Sequence, residues 1–256
     1  RQEGHTISIK KELNSSMKIL FLLLLLLPIS LPSETHFSWE EWIKDAVFDD
    51  DVVIHESQGL IDIQAPYRAV NGGNVPIIIS TRSRDIIKYT LIIDENPTPC
   101  CAIFEFDNMP AYVETNIRVD AYTHLRVIAE DRFGDMYMET KFIKASGGCS
   151  APSMIDSGNP KGQIDVNYPY TYPGITNYQF WHPNYSGLQF SHVTRAEIPA
   201  EYIEQVDIQF DGSSFHYEGT IGIAENVYFN LRTENGPGTI SAIDSDGRLF
   251  IKKLED

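Results

Sequence analysis

One cysteine of the chain lies where a thiol can act chemically. Cys149 follows Gly147 and Gly148 and stands in a stretch of small residues between two strand-rich blocks. Because glycine lets the backbone adopt many conformations, we predict that Cys149 sits exposed on a flexible loop. The reactive form of cysteine is the thiolate, and the nearest cations in the sequence, Lys144 and Lys161, are not adjacent to it. The sequence therefore favours a carrier thiol on which partner enzymes act, and it leaves open a linker cysteine without a role.

Two further cysteines, Cys100 and Cys101, are adjacent in the sequence. Neighbouring residues on a strand point to opposite faces, so we expect one of them to pack in the interior as a small apolar residue. A second interpretation stays open, in which Cys100 or Cys101 is a resolving thiol that forms a disulfide with Cys149.

No other group of residues has the pattern of a catalytic or metal site. His182 and His192 lack liganding side chains at the spacing of a zinc site. Met136 and Met138 share one face of a predicted strand and would suit copper(I) together with a cysteine, but two core methionines are the preferred interpretation. We therefore predict no catalytic residue, no metal and no bound cofactor.

The charge balance restricts the class of partner. The chain has 256 residues with 20 basic and 36 acidic side chains, which gives a formal net charge of −16. Binding to a nucleic-acid backbone needs clusters of lysine and arginine, so this charge argues against nucleic-acid partners. It favours basic protein partners instead. The hydrophobic content of 42% is enough for sizeable cores and excludes a disordered chain.

A secretory signal peptide is predicted at residues 17–33. Met17 and Lys18 precede an unbroken apolar run at residues 19–27, and Pro28 and small residues follow it. The run is shorter than the roughly 20 residues that cross a bilayer. We therefore predict cleavage, a periplasmic location and no membrane span in the mature chain, with an uncleaved anchor as the alternative. Met17 is the expected start methionine, and residues 1–16 are expected to be upstream or cloning-derived sequence.

Residues 34–146 predict a first domain that opens with a helix. Residues 38–41 form a capping box, Phe37 and Trp42 form a hydrophobic staple, and the helix should end near Ala46 or Val47. Short strands rich in Ile, Val, Tyr and Thr follow, separated by turn residues, which is typical of an immunoglobulin-like sandwich. The predicted strands are 59–64, 75–82, 86–95, 102–106, 116–120, 125–131 and 137–144.

The strand pattern stops at residues 147–160, where Gly, Ser and Pro indicate a linker that carries Cys149. Residues 161–256 then resume it with hairpin turns at Asp211-Gly212 and Asp246-Gly247. The sequence therefore predicts an all-β chain of two immunoglobulin-like β-sandwich domains with a short N-terminal helix after a signal peptide. The predicted strands of the second domain are 163–167, 178–181, 202–210, 214–217, 228–232, 238–244 and 248–253.

Short motifs of both blocks occur in a specific order. In the first block they are residues 65–77 (APYRAVNGGNVPI), residues 96–99 (NPTP) followed by 102–104, and residues 146–149 (SGGC). In the second block they are His182-Pro183, residues 198–203 (IPAEYI) and Asp211-Gly212. The first block resembles SoxY and the second resembles SoxZ, the sulfur-carrier subunits of the bacterial thiosulfate-oxidising Sox system. A single chain with both parts resembles the SoxYZ-like carriers associated with quinoprotein dehydrogenases.

The resemblance implies that Cys149 holds sulfur intermediates covalently, as a persulfide or a thiosulfonate, on an arm made flexible by Gly147 and Gly148. It implies a carrier that is not an enzyme, with Sox-type enzymes, or a quinoprotein dehydrogenase and a cytochrome c, as partners. It also leads us to expect that the two blocks pack together. The sequence departs from SoxY because Pro152 and a whole second block follow Cys149. Two alternatives stay open: a non-covalent scaffold or binding module of a quinoprotein dehydrogenase system, and a copper or redox carrier.

Overall fold

The computed structural model describes residues 39–49, 51–152, 159–168, 174–233 and 238–254. The predicted signal peptide at 17–33, residues 1–16 and the start of the capping box lie outside these ranges. Among the residues described, no helix is long and apolar enough to cross a membrane.

The first half of the chain begins with a short helical segment. A π-helical turn, Trp39–Ile43, leads into the helix α1, Lys44–Val47, which ends where the sequence predicts. The strand predicted at 116–120 is wrong in position, because β6 begins at Tyr112 and the chain leaves the sheet after Ile117. The strands of this half are β1 (Ile54–Glu56), β2 (Ile61–Gln64), β3 (Val75–Thr81), β4 (Ile86–Ile93), β5 (Cys100–Asp107), β6 (Tyr112–Ile117), β7 (Thr123–Asp131) and β8 (Met136–Ile143).

The second half contains the other nine strands of the described residues. The seven predicted strands of this half are all present, and β11 and β12 form an additional two-stranded ribbon that the sequence did not predict. The strands are β9 (Ile164–Asn167), β10 (Ile175–Phe180), β11 (Phe190–Ser191), β12 (Ala196–Glu197), β13 (Ile203–Phe210), β14 (Ser213–Gly219), β15 (Tyr228–Arg232), β16 (Gly238–Asp244) and β17 (Leu249–Leu254).

The two halves share both of their large sheets. One sheet has the strand order β1-β8-β7-β4-β5-β14-β13-β16-β17, and the other has the order β2-β3-β6-β15-β10-β9. The halves meet where β5 pairs antiparallel with β14 and where β6 pairs antiparallel with β15. The all-β, immunoglobulin-like sandwich class is therefore confirmed, and the sheets run without interruption from one half to the other.

One hydrophobic core lies between the two sheets and contains side chains from both halves. Alternation along the strands produces it: the odd-numbered residues of β3 from Val75 to Ile79 are buried, and their neighbours face outward. At the junction, Phe104 stacks on Phe215 with ring centroids 6.3 Å apart and meets Phe229 edge-on at 6.1 Å. Aromatic burial thus holds the halves together in addition to the backbone pairing.

A smaller apolar cluster seats the helical segment on the outer face of the nine-stranded sheet. Trp39 and Ile43 pack on Ile92 and Ile128, and the sulfur-bearing side chains of Met136 and Met138 pack against this cluster. The methionines therefore fill a hydrophobic interface, as the preferred sequence interpretation expects. The Arg126 guanidinium, which is paired with Asp94, lies 3.9 Å from the Met138 sulfur, and the copper alternative stays a prediction.

The shared core leads to a stability prediction. Phe104→Ala should lower the free energy of unfolding by about 3–5 kcal/mol, the range for truncating a buried aromatic residue. Because the sheets are continuous, urea unfolding should remain a single transition. Phe133→Ala, at a loop residue that is 76% exposed, is the matched control and should change stability by less than about 0.5 kcal/mol. Two separate transitions, only one of which moves in Phe104→Ala, would contradict a shared core.

A row of charged side chains crosses the outer face of the same sheet at the junction. Lys88 Nζ lies 3.7 Å from both Glu105 and Glu130 carboxylates. His216 Nδ1 is 2.7 Å from Asp207 Oδ1, and its Nε2 is 3.3 Å from a Glu218 oxygen. Burial alone would lower the pKa of His216, but its two carboxylate partners outweigh that effect and raise the pKa above its ordinary value.

The raised pKa of His216 predicts a pH dependence of stability. A histidine whose pKa is higher in the folded than in the unfolded protein contributes stability fully below its unfolded pKa of about 6.5. That contribution is lost as the pH rises through the folded pKa. His216→Gln should therefore remove part of the stability decline above about pH 6.5, measured by urea unfolding across pH. His192→Gln, at an exposed histidine, is the control, and an unchanged pH profile in His216→Gln would contradict the assignment.

Candidate functional site

The Cys149 thiol is buried at the place where the two halves meet. Its exposed fraction is 0%, and it is free of any disulfide. The prediction of an exposed Cys149 on a flexible loop is therefore wrong for this structure. The physical reason is that the backbone around Cys149 is held by contacts to both halves of the chain.

Two glycines make the first of these contacts possible. A Cβ atom on Gly148 would lie 2.2 Å from the Gly72 carbonyl oxygen and 2.4 Å from the Val119 carbonyl oxygen. No side chain fits in that space, so Gly148 permits close backbone packing instead of free motion. Gly147 has a φ of +65° and forms the turn. The prediction that Gly147 and Gly148 provide swinging-arm flexibility does not match this docked arrangement.

Hydrogen bonds fix the turn to the first half. Gly147 N–H donates to the Asp120 carbonyl oxygen at 2.7 Å, and Gly148 N–H donates to the Val119 carbonyl oxygen at 3.2 Å. Cys149 N–H donates to the Asp120 carboxylate at 3.1 Å. Residues 118–120 follow β6 outside the sheet, and Val119 and Asp120 bond to the turn at residues 147–149 instead, so the predicted strand ends earlier than expected.

A loop of the second half, residues 182–190, holds the other side of the turn. The Ser186 hydroxyl donates to the Cys149 carbonyl oxygen. The Gln189 side-chain amide donates to the Ala151 carbonyl oxygen at 3.1 Å. The turn that carries the thiol, residues 147–151, is therefore clamped between the halves, and we refer to it as the carrier turn.

Arg118 lies beneath the carrier turn and is one of the largest fully buried side chains. Its guanidinium donates to the Gly148 carbonyl oxygen at 3.3 Å and to the Asn184 carbonyl oxygen at 2.9 Å. Its Nε has no hydrogen-bond partner in the described residues. Burial lowers the pKa of Arg118, whereas the negative charges of Glu225 and of a Cys149 thiolate favour its charged form.

The environment of Cys149 keeps the thiol protonated. Burial raises the pKa of Cys149 to about 12, the Asp120 carboxylate adds to this increase, and the Arg118 guanidinium opposes it. The thiolate is the nucleophile, so a docked Cys149 is unreactive near neutral pH. In the docked turn Cys149 is therefore an unreactive thiol, and a nucleophilic reaction of its sulfur would require the thiol to become exposed to solvent.

The other two cysteines occupy different environments in β5. Cys101 is fully buried, and a Cβ atom on Gly222 would lie 2.7 Å from its sulfur, so the thiol faces the core. Cys100 is half-buried on the outer face, where burial and the Glu218 carboxylate raise its pKa. Neither thiol forms a disulfide. The pKa of Cys101 is raised well above its ordinary value, mainly by burial and further by the negative charge that Cys100 and Cys149 would carry as thiolates. A resolving role for Cys100 or Cys101 stays a prediction.

Sequence reasoning missed the residues that surround and hold the carrier turn, and we refer to this set of contacts as the seat of the turn. The side chains that hold the turn, Arg118, Asp120, Ser186 and Gln189, lie far from it in the sequence. A signal was nevertheless available, because the motifs of the resemblance converge here. Gly72 comes from residues 65–77, and the 182–190 loop starts at His182-Pro183. Asn96 brackets residues 118–120, donating to the Arg118 carbonyl oxygen at 2.8 Å and accepting from Asp120 N–H at 2.9 Å.

The tight seat predicts the reactivity of the thiol. In the wild-type protein, Cys149 should react slowly with a maleimide because the thiol is buried and protonated. Gly148→Ala should raise its rate of labelling at least about tenfold, since a loss of about 1.4 kcal/mol of docking energy changes the open population by that factor. Ser150→Ala, at an exposed residue of the same turn, is the control. Mass spectrometry of labelled peptides measures both rates, and fast wild-type labelling of Cys149 would contradict the buried seat.

Comparison with known proteins identifies both halves. Residues 44–149 match the family of the sulfur oxidation protein SoxY, and residues 176–255 match the family of the sulphur oxidation protein SoxZ. Among curated proteins there is no match. The sulfur carrier protein SoxY from Chlorobium limicola f thiosulfatophilum is a similar solved structure, with 26% identity, a TM-score of 0.34 and coverage of 37% of this chain and 81% of that one.

A second similar structure is SGBP-B of the Bacteroides ovatus mixed-linkage glucan utilization locus, in complex with a mixed-linkage heptasaccharide. It has 12% identity and a TM-score of 0.22, and the match covers 80% of this chain and 46% of that one. Neither similar structure carries the family assignment. The assignment rests on the two family matches, which follow each other along the chain. The chain therefore joins a SoxY domain to a SoxZ domain and belongs to the SoxYZ-like sulfur carriers.

Proposed function

We propose that the protein carries sulfur intermediates as covalent adducts of Cys149 while partner enzymes act on them. The observation that carries this proposal is the position of the thiol. The SoxY match ends at Cys149, and this free cysteine sits in a turn held by both the SoxY and the SoxZ domain.

Loading is an oxidation in this proposal. The Cys149 sulfur forms a bond with the outer sulfur of thiosulfate, the thiol proton is released, and the product is a cysteine S-thiosulfonate with one negative charge. Two electrons leave in this step, and they pass to a partner enzyme of the cytochrome c class. A partner enzyme then hydrolyses the adduct: water takes the sulfonate group, sulfate and a proton are released, and a persulfide is left on the same cysteine without a further change in electron count. The chain holds the cargo, and its partners supply the oxidant and the catalysis.

The seat gives the empty carrier a protected resting state. Burial raises the pKa of Cys149 to about 12, and the resulting small thiolate fraction slows its reaction with electrophiles and metals while the turn is docked. Loading then requires the carrier turn to undock from the protein surface. In the undocked turn the Cys149 thiol is in contact with water and regains an ordinary pKa. Arg118 remains as a buried positive charge that attracts an anionic adduct back toward the seat. The strength of the contacts around Gly148 thus sets how often the thiol is presented.

We place this function outside the cytoplasm, in the periplasm, because residues 17–33 have the pattern of a secretory signal peptide. The acidic charge of the chain favours partners with a basic docking face. Sox-type enzymes are the partners that fit the family assignment. The alternative partner is a quinoprotein dehydrogenase system, which the protein would serve as a carrier or as a scaffold.

The experiment compares three variants for loading. Wild-type protein, Cys149→Ser and Cys100→Ser are incubated with thiosulfate and an extract that contains the native redox partners, and intact-mass spectrometry detects adducts. Wild type and Cys100→Ser should load, whereas Cys149→Ser should not, because a serine hydroxyl without a positioned base is a poor nucleophile. Adducts on Cys149→Ser would refute the carrier thiol. Normal partner binding without loading of any variant would favour the scaffold alternative.

A further inference from the structure

A buried cluster of polar side chains lies in the SoxZ domain, apart from the carrier thiol. It consists of His182, Glu201 and Asp244, whose ligand-type atoms all lie within 4.8 Å of one another. His182 and Asp244 are 1% and 0% exposed. The sequence predicted no metal site at His182 because its neighbours along the chain are not ligands. The fold supplies Glu201 from the segment just before β13 and Asp244 from the end of β16.

Two buried atoms of the cluster have no hydrogen-bond partner in the described residues: His182 Nε2 and Asp244 Oδ2. They face each other at 3.6 Å. The Asp244 carboxylate is held in this direction because its Oδ1 accepts the N–H groups of Asp246 at 3.1 Å and Arg248 at 2.8 Å. A buried polar atom without a partner is costly, so the arrangement calls for a cation or a proton between them.

The tautomer of His182 decides between the two. Ile203 N–H donates to Asn184 Oδ1 at 3.0 Å, which fixes that oxygen as an acceptor. His182 Nδ1 lies 2.8 Å from the same oxygen, so a hydrogen on Nδ1 satisfies the contact and leaves Nε2 with a free lone pair. Asn184 N–H also points at Nδ1 from 3.1 Å and favours the other tautomer. The shorter contact to an oxygen already fixed as an acceptor outweighs it.

A lone pair on Nε2 and a carboxylate oxygen that face each other form a site for a cation. A histidine whose Nδ1–H is held by an oxygen acceptor is also the arrangement found for metal-bound histidines. Lys161 provides a positive charge here, since its Nζ contacts Glu201 and lies 3.5 Å from Asp244 Oδ2. Its side chain is 30% exposed, so a long flexible stem can carry the ammonium group out to water.

We propose that His182, Glu201 and Asp244 bind one divalent transition-metal ion of the Zn²⁺ type, with Lys161 as the group that it displaces. One imidazole nitrogen and two carboxylate oxygens suit Zn²⁺, and a water completes four ligands. Arg248 lies 2.7 Å from a Glu201 oxygen, 3.5 Å from Asp244 Oδ2 and 2.9 Å from Asp246 Oδ2. Its side chain is 53% exposed, so it can turn toward Asp246 and solvent when the ion binds. The bound ion would fix His182, and through it Asn184, in the loop that clamps the carrier turn.

The test is titration of metal-free full-length protein with Zn²⁺ by isothermal calorimetry. One ion per chain should bind. Glu201→Gln removes a half-buried ligand with little change of shape. It should weaken zinc binding at least roughly tenfold, because even the loss of a residue that only supports a metal ligand costs about that much affinity. Lys161→Met removes the competing charge and should strengthen binding by roughly tenfold. His192→Ala, at an exposed histidine, should change nothing.

Two further measurements separate the site from other zinc ligands and from folding defects. The titrations are repeated in a Cys149→Ser background, because thiolates also bind zinc, and the results should be the same. Co²⁺ should give visible bands of a four-coordinate site that are lost in Glu201→Gln, while circular dichroism checks that each variant is folded. Weaker binding in Lys161→Met, or equal binding in Glu201→Gln and wild type, would overturn the proposal, as would binding that depends on Cys149.

Discussion

The burial of the Arg118 guanidinium is the interaction on which the carrier site depends. A charged group with almost no exposure needs acceptors, and the two that it uses are backbone carbonyl oxygens of Gly148 and Asn184, one from each domain. Its own backbone N–H bonds to the Gly222 carbonyl oxygen at 2.7 Å. Separating the domains would remove the Asn184 acceptor from this cation and leave only the Gly148 carbonyl of its own domain, so one buried side chain links the carrier turn to the domain junction.

The junction itself is made of backbone pairing and aromatic packing. The β5–β14 and β6–β15 pairs extend each sheet across both domains, and Phe104 contacts aromatic rings of the SoxZ domain between the sheets. This continuity gives the 182–190 loop a fixed position relative to Gly72 and Val119. The backbone of Gly148 packs so closely on Gly72 that an added Cβ atom would lie 2.2 Å from the Gly72 carbonyl oxygen. Such close packing requires that the surrounding strands hold the two backbones in fixed positions.

The same loop connects two chemical environments in the SoxZ domain. At one end, His182 belongs to the buried polar cluster with Asp244 and Glu201. At the other, Ser186 and Gln189 hold the carrier turn. Asn184 joins the two, because its side chain contacts His182 and its carbonyl oxygen accepts from Arg118. Asn184 and Arg118 thus form a continuous series of contacts from the cluster to the carrier turn.

The sequence by itself determined the all-β class and most of the strands, and it singled out Cys149, because alternation, turn residues and the SGGC motif are local signals. The short strands β1, β11 and β12 were not predicted, since two or three residues carry too little alternation to be recognised. Only the tertiary structure decided that the two domains share their sheets and that Cys149 is buried. It also decided that Gly148 serves close packing, and that Arg118, Asp120 and Ser186 surround the turn. Burial and a thiol pKa depend on side chains brought together from distant positions, and no local pattern encodes those distances.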